Sequence, residues 1–460
     1  MKEPVRVLLL LTLGLAVVLT VPGCGGPPAT TCVLAPTGPS ELGPATGLST
    51  PPPDTVVFDL KYVAQTGGPG DLQYRSFWGY GGSDAEAKTD PFLESVRQKA
   101  SGLYYVQHPS FSGRKWAAVE HHRRQATAFY FDVNANGKLD ENERIPPTRK
   151  TPQGVEFITP DFLTGAESSG ARGLCRVLLQ VNFWRGNSEP NCMWSPAALL
   201  EGTAKLNGQS ARLLLFANGP GGQFDQFGSS DYSLLLGDQP TPNPAQYIPR
   251  ENLSSLIANE GQFYRLTIEG RRSNGLPARV LLAKDTSPTG SLAVRFAGSN
   301  SLQASLTSLY LSGVNDKTVF FRIGGSRDKV SLPVGTYALD RGDASYGSSQ
   351  TRDWEVSFTK GPWATIKDGE VFEVALGQPA LKVRAIEEKD RYNSQAVECA
   401  TFKRGTRIYL EPRIAGKNLE VFSRFRQPEG AGGRTVDRPP KITITDSSGK
   451  QLLSTTMEYG

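Results

Sequence analysis

The sequence is poor in the residues that mark catalytic and zinc-binding motifs. Among 460 residues it has 5 cysteines and 3 histidines, and it contains neither Cys-x-x-Cys nor His-Glu-x-x-His. Zinc-ribbon, thioredoxin-like and zinc-protease sites are therefore unsupported. No Gly-x-Ser-x-Gly elbow, Walker loop or strand-associated Gly-x-Gly-x-x-Gly motif occurs either. These absences predict a protein that is not an enzyme.

Charge and hydropathy exclude two further classes. The formal net charge is +5, which is weak for this length, and the basic residues form no clustered stripe. This pattern argues against a nucleic-acid-binding protein. Beyond the N-terminus, no apolar run approaches the roughly 20 residues that a membrane-spanning helix needs. The 49 glycines and 33 prolines leave little room for long helices.

The N-terminus has the layout of an export signal. A basic start is followed by the uncharged apolar run Val7–Val21, and the small residue Gly23 precedes Cys24. The residues Val21–Cys24 resemble the lipobox of bacterial lipoproteins. The resemblance implies that residues 1–23 are a signal peptide, that Cys24 carries lipid, and that the protein is membrane-anchored and extracytoplasmic. Because no Asp follows the cysteine, it favours the outer over the inner membrane. An ordinary signal peptide or an uncleaved anchor is the alternative.

Four cysteines remain after the lipobox, and an exported compartment permits disulfides. Cys175 and Cys192 are close in sequence and are predicted to pair first. Cys32 and Cys399 either pair with each other or stay as thiols. The alternative for all four is that they are isolated small apolar residues.

The remainder of the chain predicts a tether followed by β-structure. Residues 24–54 are mostly Pro, Gly, Ser, Thr and Ala without an aromatic residue, which predicts a flexible linker. From Thr55 onward, short β-branched and aromatic runs end in turn residues, which predicts strands almost throughout. The predicted fold is mainly β, a multidomain β-sandwich of Ig-like modules with few short helices. The predicted modules are 55–160, 161–290, 291–369 and 370–460.

Four local features refine this prediction. Asp90–Ala100 and Pro249–Ala258 are predicted as short helices. Residues 330–339 are predicted to form a strand pair around a Pro-Val-Gly turn. The last strand pair is predicted to be a hairpin joined by Asp446–Gly449.

One segment carries recognisable chemistry, the run FYFDVNANGKLDENERI at 129–145. Its oxygen donors fall at loop positions 1, 3, 5, 9 and 12, with a backbone carbonyl at position 7, and this spacing lets them converge on one cation. The pattern resembles the calcium loop of EF-hands and dockerins. The implied ligands are Asp132, Asn134, Asn136, Asp140, Glu143 and the carbonyl of Lys138, and the implied cofactor is calcium.

The residues inside and around this loop refine the prediction. Gly137 is predicted to take a positive φ that turns the chain, and Leu139 to point into the core. The strand-like Phe129–Phe131 and the pair Pro146-Pro147 predict a loop set between strands rather than between helices. This favours a structural staple with affinity on the order of 10⁻⁴–10⁻³ M. An Asn/Asp/Gly-rich turn without an ion is the alternative.

A second segment, 215–228, resembles a degenerate copy of the loop. Gly222, Phe224 and Asp225 fall at the positions of the turn glycine, the inward leucine and one carboxylate, whereas the other donors are lost. This predicts the same hairpin without an ion, and a relationship between modules 55–160 and 161–290. Coincidence in a glycine-rich loop is the alternative.

Together these features predict a lipid-anchored cell-envelope protein with a structural calcium site. Its predicted role is that of a non-enzymatic scaffold or binding protein for an envelope or extracellular protein or a polysaccharide. The alternative is a carbohydrate-binding, carbohydrate-active or hydrolytic envelope protein whose site the sequence does not reveal. Exposed tryptophans on one face would favour sugar binding, and a cleft with facing carboxylates would favour an enzyme.

Overall fold

Strands dominate the protein, and the prediction of a mainly β fold is confirmed. All described residues belong to the unit Ala35–Gly460. Cys24, Cys32 and Cys399 lie outside the described residues, as does the signal segment. The computed structural model describes residues 44–64, 77–81, 88–100, 102–107, 116–151, 154–163, 174–183, 190–217, 223–237, 251–259, 261–297, 303–324, 329–347, 352–377, 380–388, 403, 405–416, 420–429, 434–437, 441–445 and 448–456.

The described elements are one α-helix, one 3₁₀ turn and a long series of strands. The helix α1 spans Pro91–Arg97, and the 3₁₀ turn spans Glu141–Glu143. The strands are β1 Ala45–Thr46, β2 Thr55–Asp59, β3 Lys61–Ala64, β4 Phe77–Gly81, β5 Leu103–Gln107, β6 Trp116–His122, β7 Gln125–Tyr130, β8 Arg144–Ile145, β9 Arg149–Thr151, β10 Gly154–Ile158, β11 Phe162–Leu163, β12 Leu174–Cys175, β13 Val177–Asn182, β14 Asn191–Pro196, β15 Ala198–Leu206, β16 Gln209–Phe216, β17 Asp231–Leu236, β18 Glu251–Asn252, β19 Leu256–Asn259, β20 Gln262–Arg272, β21 Pro277–Lys284, β22 Thr289–Ala297, β23 Gln303–Gly313, β24 Phe320–Gly324, β25 Val330–Pro333, β26 Gly335–Gly347, β27 Arg352–Thr359, β28 Trp363–Ile366, β29 Val371–Gly377, β30 Ala380–Glu387, β31 Ile408–Ala415, β32 Val421–Glu429, β33 Arg434–Asp437, β34 Lys441–Thr445 and β35 Gln451–Thr456.

Within the described residues these strands form several sheets. Two of them have nine strands, in the orders β8-β7-β6-β5-β4-β14-β13-β10-β9 and β24-β23-β26-β27-β32-β31-β30, the latter with β28 and β33 alongside. Two five-stranded sheets contain β1-β20-β21-β2 with β19, and β18-β17-β16-β15-β3. The smaller sheets are β25-β22-β29, β11-β12 and β34-β35. Nearly all pairs are antiparallel, although β22 pairs with β29 in parallel.

The predicted helix at Asp90–Ala100 is confirmed as α1. The Asp90 side chain caps it by accepting hydrogen bonds from the N–H groups of Phe92 and Leu93 at 3.0 and 3.2 Å. Pro91 stands at the first helical position, where its missing N–H has no consequence. The helix buries Phe92, Leu93 and Val96 against β6 and β7, so one apolar face fixes it to the sheet.

The predicted helix at Pro249–Ala258 is wrong, because this stretch contains β18 and the start of β19. β18 pairs with β17, and β19 pairs with β20. Leu253 between them is fully buried, and its N–H donates to the carbonyl of Ser230. Pairing with strands distant in sequence therefore overrides the local helical pattern.

Strand pairing also crosses the boundaries that the sequence predicted near 160 and 370. β2 pairs with β21 and β3 pairs with β15, so the start of the body lies in sheets with strands from beyond residue 197. One nine-stranded sheet contains strands from both sides of position 160, since β4 to β10 precede it or end at it and β13 and β14 follow it. β22 pairs with β29, which lies beyond position 370. A sequence pattern marks strands but does not specify their partners.

The end of the predicted linker, residues 44–54, contacts the β-structure that follows it. Ala45 and Thr46 pair with Arg272 and Arg271 of β20. Ser49 donates from its hydroxyl to Glu269 at 2.8 Å. This strand is short and polar, so its composition did not distinguish it from the tether before it.

The predicted strand pair within 330–339 is wrong. β25 pairs with β22, whereas β26 pairs with β23, β27 and β28, so the two neighbouring strands join different sheets. The predicted C-terminal strand pair is confirmed, because β34 pairs antiparallel with β35. Among the described residues no helix has the length and apolarity that a membrane span requires.

The predicted disulfide between Cys175 and Cys192 does not form. The register of β13 and β14 places Cys192 opposite Val181, six residues along from Cys175. At about 3.3 Å per residue this is roughly 20 Å, whereas a disulfide requires Cα atoms within about 7 Å. Both side chains are buried, and burial raises the pKa of the Cys192 thiol to about 12.

An aromatic core lies under the sheet that carries the predicted calcium loop. The Trp194 ring lies 5.6 Å from the Phe129 ring and 6.4 Å from the Phe131 ring, measured between ring centres. All three side chains are fully buried. Because Phe131 directly precedes Asp132, this core sets where the loop begins.

Candidate metal centre

The predicted calcium loop is the tip of a β-hairpin. β7 and β8 pair antiparallel, with Phe129 opposite Ile145 and Tyr130 opposite Arg144. The loop between them ends in the 3₁₀ turn, and Pro146 follows β8 directly. The six predicted ligand residues therefore lie between strands, as the flanking residues indicated.

Asp132 organises the first half of the loop. It is 6% exposed, and its two carboxylate oxygens accept from the N–H groups of Asn136 and Gly137 at 3.1 and 3.0 Å. A carboxylate that accepts from backbone N–H groups two and more residues ahead folds the chain around itself. The first predicted ligand thus holds the turn at loop positions 5 and 6.

Glu143 closes the loop from its other end. It is fully buried, and it accepts from the N–H groups of Asn134 at 3.3 Å and Asp140 at 2.7 Å. Burial raises the pKa of Glu143 to about 6; its backbone hydrogen bonds lower it and the Asp132 and Asp140 charges raise it. No lysine or arginine of the described chain forms an ion pair with Glu143.

The amide side chains link the two halves of the loop. Asn134 and Asn136 both donate from their side-chain nitrogens to one oxygen of Asp140, the latter at 2.7 Å. The Asn134 side-chain oxygen accepts from the N–H of Asn136 at 2.9 Å, and the Asn136 oxygen accepts from the N–H of Lys138 at 2.8 Å. The five donor side chains are therefore joined through hydrogen bonds within one loop.

Two residues of the loop have left-handed backbone. Gly137 has φ of +74° with no heavy atom near the place of a side chain, and this confirms the predicted turn. Ala135 has φ of +58°, which the sequence did not predict. A left-handed alanine costs about 1 kcal/mol, so hydrogen bonds around it hold a locally unfavourable shape.

The loop is attached to the core by its apolar residues and to helix α1 by hydrogen bonds. Leu139 is buried against the helix cluster, which confirms its predicted inward position. Its N–H donates to the hydroxyl of Ser95 at 2.8 Å, and its carbonyl accepts from the Lys99 side chain at 3.4 Å. Sequence reasoning missed Ser95 and Lys99, because they lie about 40 residues away from the loop.

The types of donor atom in the loop fit a hard cation, although the described residues are not arranged as a metal-binding site. No group of three or more His, Cys, Asp and Glu side chains in the described part of the chain gathers into such a site. The carboxylates hold N–H groups of the loop, and the amides turn nitrogen rather than oxygen toward Asp140. Carboxylate and amide oxygens are the ligands that calcium prefers. A flip of the two amides would turn their oxygens toward Asp140, and it would break the hydrogen bonds that these oxygens accept from the N–H groups of Asn136 and Lys138.

The predicted degenerate copy also lies between two paired strands. β16 and β17 pair antiparallel, and residues 218–222 between them are outside the described part. Phe224 is 1% exposed, as expected for the position matching Leu139. Asp225 forms an ion pair with Arg271, so at this position an arginine neutralises the carboxylate.

Fold and site together define a mainly β protein with an acidic loop at a hairpin tip. No family model and no curated protein matches the chain. Among solved structures it is similar to a leucine-rich repeat protein from Bacteroides thetaiotaomicron VPI-5482, at 12% identity and a TM-score of 0.17. The match covers 50% of this chain and 25% of that chain. A TM-score this low carries no argument about fold or function.

Proposed function

We propose that this protein is a calcium-stabilised, non-enzymatic scaffold or binding protein of the cell envelope, anchored through lipid on Cys24. Its calcium ligands are Asp132, Asn134, Asn136, Asp140 and Glu143, with the carbonyl of Lys138. The bound ion joins the start and the end of the β7–β8 loop. The protein faces the extracytoplasmic side, with the outer membrane favoured over the inner.

The observation that carries the calcium proposal is the fully buried Glu143. A buried carboxylate is costly unless it is paired, hydrogen-bonded or bound to a metal. Glu143 accepts hydrogen bonds from two backbone N–H groups, which lower its pKa. Its pKa is nevertheless raised, so the effect of burial is larger than that of these two hydrogen bonds. A divalent cation near Asp132 and Asp140 offsets the remaining cost and the repulsion among the three carboxylates.

The finer fold proposal is that the body contains sandwiches of the Ig-like kind. Residues of the three-stranded sheet, such as Leu292 and Leu376, share one core with Leu309 and Phe358 of the neighbouring nine-stranded sheet. Two sheets that bury their faces against each other support a sandwich.

Calcium binding is tested by calorimetric titration of the full chain in detergent. We expect one calcium per chain with a Kd on the order of 10⁻⁴–10⁻³ M. Asp140→Ala removes one ligand and is expected to abolish the binding heat. Asn142→Ala changes an exposed residue of the same loop that is no ligand, and should bind as the wild type does. Binding that survives Asp140→Ala contradicts the site.

The anchor is tested by substitution of Cys24 and fractionation of producing cells. The wild-type chain is expected in the outer-membrane fraction, since several acyl chains on one residue give stable anchoring. Cys24→Ser removes the acylated thiol and is expected to move the protein out of the outer-membrane fraction. Cys32→Ser is the matched control and should leave the distribution unchanged. A Cys24→Ser protein that stays in that fraction argues against the lipid anchor.

A further inference from the structure

An exposed tryptophan marks the outer face of the nine-stranded sheet that contains β26. Trp363 begins β28 and is 66% exposed, whereas Trp116 and Trp194 are buried. A large aromatic ring that is exposed to water does not gain the free energy that its burial would contribute. Among the tryptophan side chains that the structure describes, Trp363 is therefore the one that a ligand could still cover.

Strand alternation shows which face of the sheet Trp363 occupies. In β28, Ala364 and Ile366 are buried in the core, so Trp363 and Thr365 lie on the opposite, exposed face. The register places Trp363 beside Ala338 of β26. Ala338 in turn pairs with Ser312 of β23. The two nearest positions in the row of the indole thus carry small side chains, and the row ends at Phe320 on β24.

The neighbouring part of the same face carries two arginines around one tyrosine. Arg322, Tyr310 and Arg341 are register partners on β24, β23 and β26. The guanidinium carbon of Arg341 lies 3.9 Å from the centre of the Tyr310 ring, and that of Arg322 lies 5.7 Å from it. Stacking on an aromatic ring holds a guanidinium flat and leaves its in-plane N–H donors available. Both arginines are exposed.

We propose that this face binds a polysaccharide. One sugar ring stacks its C–H face on Trp363, and sugar hydroxyl or carboxylate oxygens accept hydrogen bonds from Arg341 and Arg322. The inference rests on the binding role proposed above and names the ligand class. Four neighbouring strands make the face about 14 Å wide, at roughly 4.8 Å per strand spacing. This width admits a short run of sugar rings.

The surroundings of the indole favour a sugar over a protein partner. A protein interface centres on a contiguous apolar core with aromatic residues. Around Trp363 the register neighbours are instead Ala338, Thr336 and Thr365. The other aromatic residues of this face, Tyr310 on β23 and Phe320 on β24, lie two and three strands away, so small and hydroxyl-bearing side chains separate the indole from them. A sugar ring has an apolar face and a polar edge, which matches this combination.

The test is electrophoresis of the full chain in detergent through native gels that contain polygalacturonate or a neutral β-glucan. The wild-type protein is expected to be retarded in at least one gel. Trp363→Ala is expected to weaken the apparent affinity roughly tenfold or more, the cost of truncating an aromatic anchor. Arg341→Met keeps a long side chain without the guanidinium and is expected to weaken binding by several-fold. Retardation by polygalacturonate alone assigns the arginines to carboxylates, and retardation by the neutral glucan assigns them to hydroxyls.

The control is Leu453→Ala, which truncates another exposed apolar residue, on β35, and should migrate as the wild type. An unchanged melting temperature of Trp363→Ala shows that the variant folds. Absence of retardation in both gels, or retardation that survives Trp363→Ala, overturns the proposal. Self-association that Trp363→Ala abolishes, without glycan binding, also overturns it and assigns the face to protein contacts. Calcium titration of the same samples tests the proposed calcium site independently, so a protein that binds calcium but no glycan contradicts only the glycan proposal.

Discussion

Chelation of calcium is expected to lower the stability of the wild-type protein markedly. A ligand that binds only the folded state stabilises it by about 2.7 kcal/mol when its concentration is 100 times Kd. For the proposed Kd on the order of 10⁻⁴–10⁻³ M, this corresponds to calcium at roughly 10–100 mM. Denaturant unfolding in calcium and in excess chelator measures the difference directly. Magnesium at the same concentration should stabilise less, because it demands a tighter octahedral geometry.

Substitution of Asp132 distinguishes the contribution of the calcium ion to stability from that of the hydrogen bonds of the loop. Asp132→Ala removes a ligand and also the acceptor for the N–H groups of Asn136 and Gly137, so it destabilises the protein in either buffer. The informative quantity is the calcium response, which should vanish in this variant. Asp225→Ala removes the carboxylate of the second hairpin that matches Asp140; its partner is Arg271, and this variant should keep the full response. A calcium response in Asp132→Ala, or none in the wild type, would refute the site.

Truncation of Trp194 is expected to lower the free energy of unfolding strongly. The side chain is fully buried on β14 and packs against Phe129 and Phe131. Removing such a ring costs its transfer free energy and leaves a cavity, together about 3–5 kcal/mol. The free energy of unfolding of Trp194→Ala, measured with urea, should fall by this amount.

The matched control is Trp363→Ala, because it makes the same chemical change at an exposed position. Surface substitutions of this kind alter stability by no more than about 0.5 kcal/mol. Trp194→Phe retains an aromatic ring and should lie between the two alanine variants. Equal effects of Trp194→Ala and Trp363→Ala would contradict the described burial.

Features that depend on a few consecutive residues were predictable from the sequence. Gly137 and Leu139 have the backbone and the burial that their loop positions indicate. The helix α1 forms where a capping aspartate, a proline and an apolar face coincide. The cap, the left-handed turn and the apolar spacing each lie within a few residues, so the local sequence contains these patterns, whereas the side chains that cover Leu139 come from α1 and β6.

Features that depend on distant partners were not predictable. The stretch Pro249–Ala258 has a helical pattern but supplies strands, because β17 and β20 offer it hydrogen bonds. Cys175 and Cys192 are near in sequence, yet the register of β13 and β14 sets them far apart. Ser95 reaches the loop only because helix and hairpin pack together. Exposure distinguishes Trp363 from Trp116 and Trp194, the other tryptophans whose side chains the structure describes, and no spacing in the sequence indicates it.

The sequence by itself determined the strand-rich character, the oxygen-bearing side chains of the loop and the turn at Gly137. These follow from side-chain shape, backbone conformation and spacing, which act over a few residues. Only the tertiary structure decided which strands pair, that Ala45 and Thr46 join the body, and that Trp363 is exposed whereas Trp116 and Trp194 are buried. Such choices are made by burial and register between segments up to about 230 residues apart, where many pairings satisfy the same local pattern and packing selects one.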